Sequence, residues 1–193
     1  LIPCSIIGAR AYYVIFSYDN YRGNFIQMLN LRAGGLAIHG GIIAGVIVSY
    51  IVAKRKKIKF SNLADLIMPQ VALAQAIGRW GNFFNSEAHG GPTNLPWAIT
   101  VYGEKVHPTF LYESIWCFFI FILLIFLSNK IKFNGQIALL YAMLYSFERF
   151  WVEGLRTDSL MIGQFRQAQV LSLVVFILAL SAYIYQVRKY KKK

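Results

Sequence analysis

The sequence predicts an all-α fold: a polytopic transmembrane helix bundle of about six spans, in a single domain covering 1–193. Three observations predict it. Hydrophobic residues make up 57% of the chain and the mean hydropathy is +0.48, against about 45–50% apolar residues in soluble domains. Aromatic residues reach 16%, with 12 Tyr and 4 Trp, which supplies amphipathic side chains for belts at two membrane interfaces. The net charge of +12 is gathered in clusters between apolar runs. That pattern argues against a nucleic-acid-binding surface and suits loops on one side of a membrane.

A spanning helix needs about 20 mostly apolar residues to cross about 30 Å of hydrocarbon. The runs that meet this lie near 1–17, 34–53, 62–84, 108–128, 136–153 and 167–187. The first opens at Leu1 with no basic stretch before it and no small-residue cleavage site. It therefore reads as a span of an N-terminally trimmed chain, not as a signal peptide. The second carries Gly41 and Gly45 at a helix-packing spacing. The third runs to the polar segment GRWGNFFNSEAHGG. Pro108 starts the fourth, as proline suits a first helical turn. The fifth ends in SFERFWVE and the sixth runs into the basic tail. Cys4 and Cys117 lie far apart in apolar surroundings, which predicts buried small hydrophobes. Three histidines without ligand spacing predict no metal site.

Orientation follows from lysine and arginine. Of the 20 such residues, twelve fall in 54–59, 130–132 and 188–193, all on one side of an alternating six-span path. Arg22, Arg32, Lys105, Arg156 and Arg166 fall on the other. The asymmetry predicts a cytoplasmic C-terminus. The outer loops near 85–107 and 154–166 carry Gly, Pro, His and charged residues. Loops on a rigid scaffold are where sites gather, so chemistry is expected towards the outer leaflet.

Arg10, Arg79 and Arg149 fall inside spans. Each costs about 2.5–3.5 kcal/mol at a helix centre, or on the order of 8–10 kcal/mol together. Such residues need a partner, a cavity or a polar ligand; an internal salt bridge and snorkelling to the interface are the plain alternatives. Arg149, Glu153 and Arg156 are spaced four and three apart and share one helical face. Pairing Glu153 with one arginine leaves surplus positive charge, suited to an anion that guanidinium can bind bidentately. Glu148 is one position off that face. Arg79 and Asn82 share a face between Gly78 and Gly81, glycines that serve helix packing or the approach of a head group. Glu87 and Gly90 follow in the outer loop. His39 lies between glycines in an apolar run. It is either a satisfied buried polar group or a base, since an imidazole titrates near pH 6.5. Glu113 reads as a buried, hydrogen-bonded residue of a helix start. No nucleophilic triad, Walker loop or dinucleotide fingerprint is present.

GRWGNFFNSEAHG (78–90) resembles the signature segment of the prolipoprotein diacylglyceryl transferases. GGLAIHGG (34–41), HPTFLYES (107–114), ERFWVEGLRTDS (148–159) and RQAQVLSL (166–173) resemble further family segments in the same order. The resemblance covers nearly the whole chain. It implies transfer of the diacylglyceryl group of phosphatidylglycerol to the lipobox cysteine thiol of a prolipoprotein signal peptide. A thioether forms and glycerol 1-phosphate leaves, with no cofactor. It further implies a multi-pass protein of the bacterial cell membrane, surrounded by membrane lipids and without a nucleic-acid partner. Family members have seven spans, so the first is expected to be missing here. Arg79, Asn82, Glu87 and Gly90 match signature positions, with Arg79 against the lipid phosphate. Arg149, Glu153 and Arg156 match a second functional cluster, and His39 a histidine that assists catalysis. On this reading His39, Arg79 and Arg149 are catalytic. A water polarised by arginine, or Glu153, could replace His39 as the base. The rival class is a transporter or channel for an anionic solute or lipid, because intramembrane arginines and glycine-broken helices occur there too.

Overall fold

The computed structural model describes residues 1–31 and 34–192. Arg32 and Lys193, both counted in the charge asymmetry, lie outside the described residues. The chain forms two compact units, residues 1–63 and 64–193, and each is described by itself.

The first unit pairs α1 (Ile2–Phe16) with α3 (Ile38–Arg55). Between them lie a 3-10 turn at Tyr18–Tyr21 and the five-residue α2 (Phe25–Leu29). The two long helices approach through glycine. A Cβ at Gly40 would collide with Tyr12 Cβ and Gly8 O, and one at Gly8 would come within 2.8 Å of Gly40 O. Gly41 and Gly45 lie along the same contact, against Ala9 and Ser5, as their spacing predicts. The expected helix from 34 begins only at Ile38, because Gly34 and Gly35 take φ values of +80° and +73°. Their carbonyls turn instead to Arg10.

Arg10 is 5% exposed. Its guanidinium donates to Gln27 O (2.7 Å), Met28 O (2.9 Å), Gly34 O (2.7 Å) and Gly35 O (3.0 Å). It also lies over the rings of Tyr13 and Tyr21. The last carbonyls of a helix have no partner within it and carry partial negative charge. Arg10 uses those of α2 and of the glycine turn in place of a carboxylate. Cys117 is buried as expected, whereas Cys4 is exposed on the outer face of α1.

The second unit holds most of α4 (Phe60–Phe84), with α5 (Thr109–Ser128), α6 (Gln136–Leu155) and α7 (Gln167–Lys191). Two antiparallel hairpins join them. In the first, β1 (Ile99–Val101) pairs with β2 (Glu104–Val106); in the second, β3 (Met161–Ile162) pairs with β4 (Phe165–Arg166). Neither hairpin is expected from an all-helical reading, since both lie in segments whose sequence signals only loop. The core packs Ala72 of α4, Ile120 and Leu124 of α5 and Ile137 of α6, with Trp116, Tyr141 and Leu144 around them. Polar ties fix the helices axially. Ser114 Oγ donates to Ala76 O (2.8 Å), Trp116 Nε1 to Leu144 O (3.0 Å) and Gln169 Nε2 to Phe150 O (3.1 Å). Asp65 of α4 accepts the Gly135 N–H (2.6 Å) and the Ala138 N–H (2.9 Å). It thus caps α6, whose first N–H groups lack helical partners.

Among the described residues three helices, α3, α5 and α7, are long and apolar enough to cross a membrane. The apolar α1 is shorter, at 15 residues. α4 and α6 have the length, 25 and 20 residues, but carry the polar groups from which the candidate site is built. Large apolar side chains lie exposed along α3, α5 and α7, as outer surfaces facing hydrocarbon require.

Arg10→Lys keeps the charge but cannot reach four carbonyls from one flat fork. Amide hydrogen exchange in Gln27–Leu31 should accelerate at least about ten-fold, a loss of roughly 1.4 kcal/mol of local stability. Unchanged protection would show that Arg10 does not hold this segment.

Candidate active site

Three helix ends meet at one end of the second unit: the last turns of α4, the first turns of α5 and the last turns of α6. The chain leaving α4 is what gathers them. After Phe84 it passes Ser86 and Ala88, both at positive φ, and threads between α5 and α6 at Gly90. Gly90 N donates to His107 O (3.0 Å), His107 N to Gly91 O (3.0 Å) and Gly91 N to Leu155 O (2.9 Å). Gly90 also forms an isolated β-bridge with Arg156. Thr109 Oγ1 donates to Ala88 O. A Cβ at Gly90 would lie 2.6 Å from His107 Cβ and 3.1 Å from Leu155 O. Only glycine fits there, so the position expected from its motif to bind substrate has a packing reason of its own.

Where these ends converge, Arg79 of α4 and Arg149 of α6 meet on Glu113 of α5. Arg79 Nε lies 3.0 Å from Glu113 Oε2, and Arg149 Nη1 lies 2.6 Å from Glu113 Oε1. Arg149 Nη2 is 2.6 Å from Glu153 Oε2, the one-turn pairing read from the sequence. Arg79 Nη2 donates to Tyr145 OH (3.3 Å), and Tyr145 stacks on Tyr141. Glu113 and Glu153 are 1% and 3% exposed. Both arginine side chains are 19% exposed, so they form the open edge of the cluster.

This arrangement corrects two expectations. The face of α6 does not carry surplus positive charge, because Glu113 reaches across from α5 and Arg149 is held between two carboxylates. Arg156 also leaves the stripe. It ends α6 as the C-cap and binds Asp158 with two hydrogen bonds, at 2.9 and 2.7 Å. That bidentate contact holds the Asp158 carboxyl below the usual carboxylate range. Burial opposes the charge of Arg156, but Asp158 more than offsets it and raises the guanidinium above its ordinary value. Arg166 completes this corner by donating to Glu153 O, and to Arg156 O at 2.9 Å.

The remaining predicted residues lie as follows. Asn82 is half-buried on the last turn of α4, and its carbonyl accepts the Glu87 N–H at 3.0 Å. Glu87 is exposed and accepts from Asn85 Nδ2 at 3.2 Å. Nothing lies within 4 Å of a Cβ added at Gly78 or Gly81, so of the two readings, helix packing and the approach of a head group, neither glycine makes the packing contact among the described residues. His39 belongs to the first unit. It is exposed on the first turn of α3, its ring 6.3 Å from that of Tyr12.

Sequence reasoning missed the bridging role of Glu113, and it missed Tyr145 and Arg166. A signal for Glu113 existed: a carboxylate in an apolar helix needs a cation, and two unassigned arginines were at hand. Tyr145 precedes Arg149 by one helical turn. Arg166 had no signal, because its acceptors are main-chain carbonyls.

Over residues 1–185 the chain matches the family described as prolipoprotein diacylglyceryl transferase. It is 56% identical over 193 residues to the phosphatidylglycerol–prolipoprotein diacylglyceryl transferase of Finegoldia magna, covering 100% of this chain and 76% of that one. It is 55% identical over 190 residues to the Clostridioides difficile protein of the same name, covering 98% and 77%. With a Clostridium botulinum protein of that name (strain Langeland) it shares 49% over 201 residues, covering 99% and 79%.

Removing one member of a buried ion pair leaves the other charge uncompensated, at about 3–5 kcal/mol. Glu113→Ala should therefore cost on this scale in detergent unfolding, and more than Glu87→Ala at the exposed loop position. Equal, small effects would refute the bridging role.

Proposed function

The chain belongs to the prolipoprotein diacylglyceryl transferase family, and from that membership we propose the reaction and the roles of its residues. The enzyme transfers the diacylglyceryl group of phosphatidylglycerol to the lipobox cysteine thiol of a prolipoprotein. The sulfur attacks the glycerol carbon that bears the phosphate. A C–S bond forms, the C–O bond to phosphate breaks with its electron pair going to oxygen, and glycerol 1-phosphate departs. The thiol proton leaves with the base.

The observation that carries this reading is the convergence of two guanidiniums, from different helices, on a single two-oxygen anion. Groups that can both reach one carboxylate can both reach the neighbouring oxygens of one phosphodiester. Arg79 is the more available of the two. Its Nε and Nη2 are engaged, and the rest of its fork is uncommitted among the described residues. It takes the lipid phosphate and stabilises the charge that develops on the leaving oxygen. Arg149, held by Glu113 and Glu153, reaches the same phosphate from α6 and keeps Glu113 in place. Asn82, Glu87, Glu153 and Arg156 line the approach, and Gly90 keeps the outer loop closed against α5 and α6. A groove between α6 and α7, lined by Phe147, Phe150, Trp151, Leu173 and Phe176, suits an acyl chain. His39 takes the thiol proton.

The distribution of lysine and arginine supports a cytoplasmic C-terminus and about six crossings in this chain. It also supports an arginine cluster towards the outer leaflet, where the signal peptide of a secreted substrate arrives.

Loss of a donor to developing charge costs about 2.7–4 kcal/mol, or 100- to 1000-fold in rate. Arg79→Ala should lower transfer to a lipobox peptide on this scale with little loss of melting temperature. Arg149→Ala should lower both rate and melting temperature, since it strips Glu153 of its guanidinium and leaves Glu113 with Arg79 alone. Near-normal transfer by either protein sinks the clamp.

His39→Gln should slow transfer at neutral pH and recover partly as pH rises towards about 8.5, where a free thiol ionises unaided. A rate within a few fold of the parent and an unchanged pH profile would assign His39 to structure alone.

A further inference from the structure

Glu148 sits one residue before Arg149 on α6 and is 6% exposed. Both of its carboxyl oxygens are buried, and neither meets a hydrogen-bond partner among the described residues. Glu113 and Glu153, the cluster's other buried carboxylates, each hold a guanidinium. Consecutive helical residues point about 100° apart, so Glu148 flanks Arg149 and does not pair with it. A buried polar group left unmet carries its full desolvation cost. A ligand can supply the partner that the described residues do not.

The surroundings narrow the chemistry of that partner. Glu148 stands within electrostatic range of Arg79, Arg149 and Glu113. A cationic ligand group would meet two guanidiniums there, and an anionic one would meet two carboxyl groups. A neutral hydroxyl meets neither objection. It also donates and accepts at once, and two carboxyl oxygens can serve two hydroxyls. The glycerol head group of phosphatidylglycerol carries two hydroxyls a few bonds beyond its phosphate.

We propose that Glu148 is a head-group subsite: its carboxyl binds the free hydroxyls of the glycerol head group and selects a polyol phosphodiester over a plain alkyl one. This rests on the reading that Arg79 takes the lipid phosphate. Glu148 touches no reacting atom in this role; it determines specificity.

The test compares phosphatidylglycerol with phosphatidylpropanol, which has the same charge and chains but no head-group hydroxyls. Lipid retention by native mass spectrometry and transfer to a lipobox peptide are measured for the parent, Glu148→Gln and Glu148→Leu. The parent should favour phosphatidylglycerol on the order of ten-fold in both readouts, the scale of one or two hydrogen bonds. Glu148→Leu should lose that preference by weakening phosphatidylglycerol alone, and Glu148→Gln, which still donates and accepts, should keep most of it. Equal losses for both lipids would reveal a purely structural residue and overturn the subsite, as would a preference that survives Glu148→Leu. Parent enzyme that uses both lipids without discrimination sinks the subsite and spares Arg79. Parent enzyme that neither retains nor uses either lipid sinks the phosphate reading, and the subsite with it.

Discussion

Two guanidiniums from separate helices can stand side by side in an apolar interior only if negative charge stands between them, and Glu113 supplies it. At 1% exposure its carboxylate has little water to lean on, so Arg79 and Arg149 replace its hydration as it replaces theirs. The attraction is strong because the medium is poor in water, and so is the penalty for removing Glu113, the member that both arginines share. The rest of the site is arranged around that contact. Glu153 takes the far side of Arg149, Tyr145 takes an edge of Arg79, and the chain at Gly90 closes tightly enough to hold three helix ends together.

Arg10 solves the same problem differently. Among the described residues no carboxylate touches its guanidinium; four carbonyls and two tyrosine rings do. The contrast separates two kinds of buried arginine by what surrounds them. One whose donors are all spent on main-chain oxygens shapes the backbone and has little left for a ligand. One held by a side-chain carboxylate, with part of its fork uncommitted, keeps donors that a further anion can use. Arg79 is of the second kind. Glu113 keeps the two guanidiniums in register, and on the proposed reading the same register presents cationic contacts to a phosphate.

The corner around Arg156 and Arg166 shows how the loop after α6 is joined to the arginine cluster. Arg166 holds the carbonyls of Glu153 and Arg156 from the β3–β4 hairpin, and Asp158 clasps Arg156. The loop after α6 is thereby tied to the residue that holds Arg149. A strain or ligand contact in the hairpin has a short path to the arginine cluster, through groups already in contact.

The sequence by itself determined what depends on local period and composition. Apolar runs of membrane length marked the helices to within a few residues, apart from the start of α3, where two glycines at positive φ fray the predicted turn. The four-residue spacing of Arg149 and Glu153 predicted their ion pair, because neighbours one helical turn apart must meet. The ordered motifs around Arg79, Arg149 and His39 were enough to indicate the family. Only the tertiary structure decided which charges meet across helices. Glu113 lies 34 residues from Arg79 and 36 from Arg149, and no local rule brings it between them. The same holds for Asp65 capping α6, for Arg10 finding carbonyls and for Gly90 lying against His107. Helical period says which way a side chain points, but its partner depends on how the helices rotate and slide as they pack, and that is settled by the whole core at once.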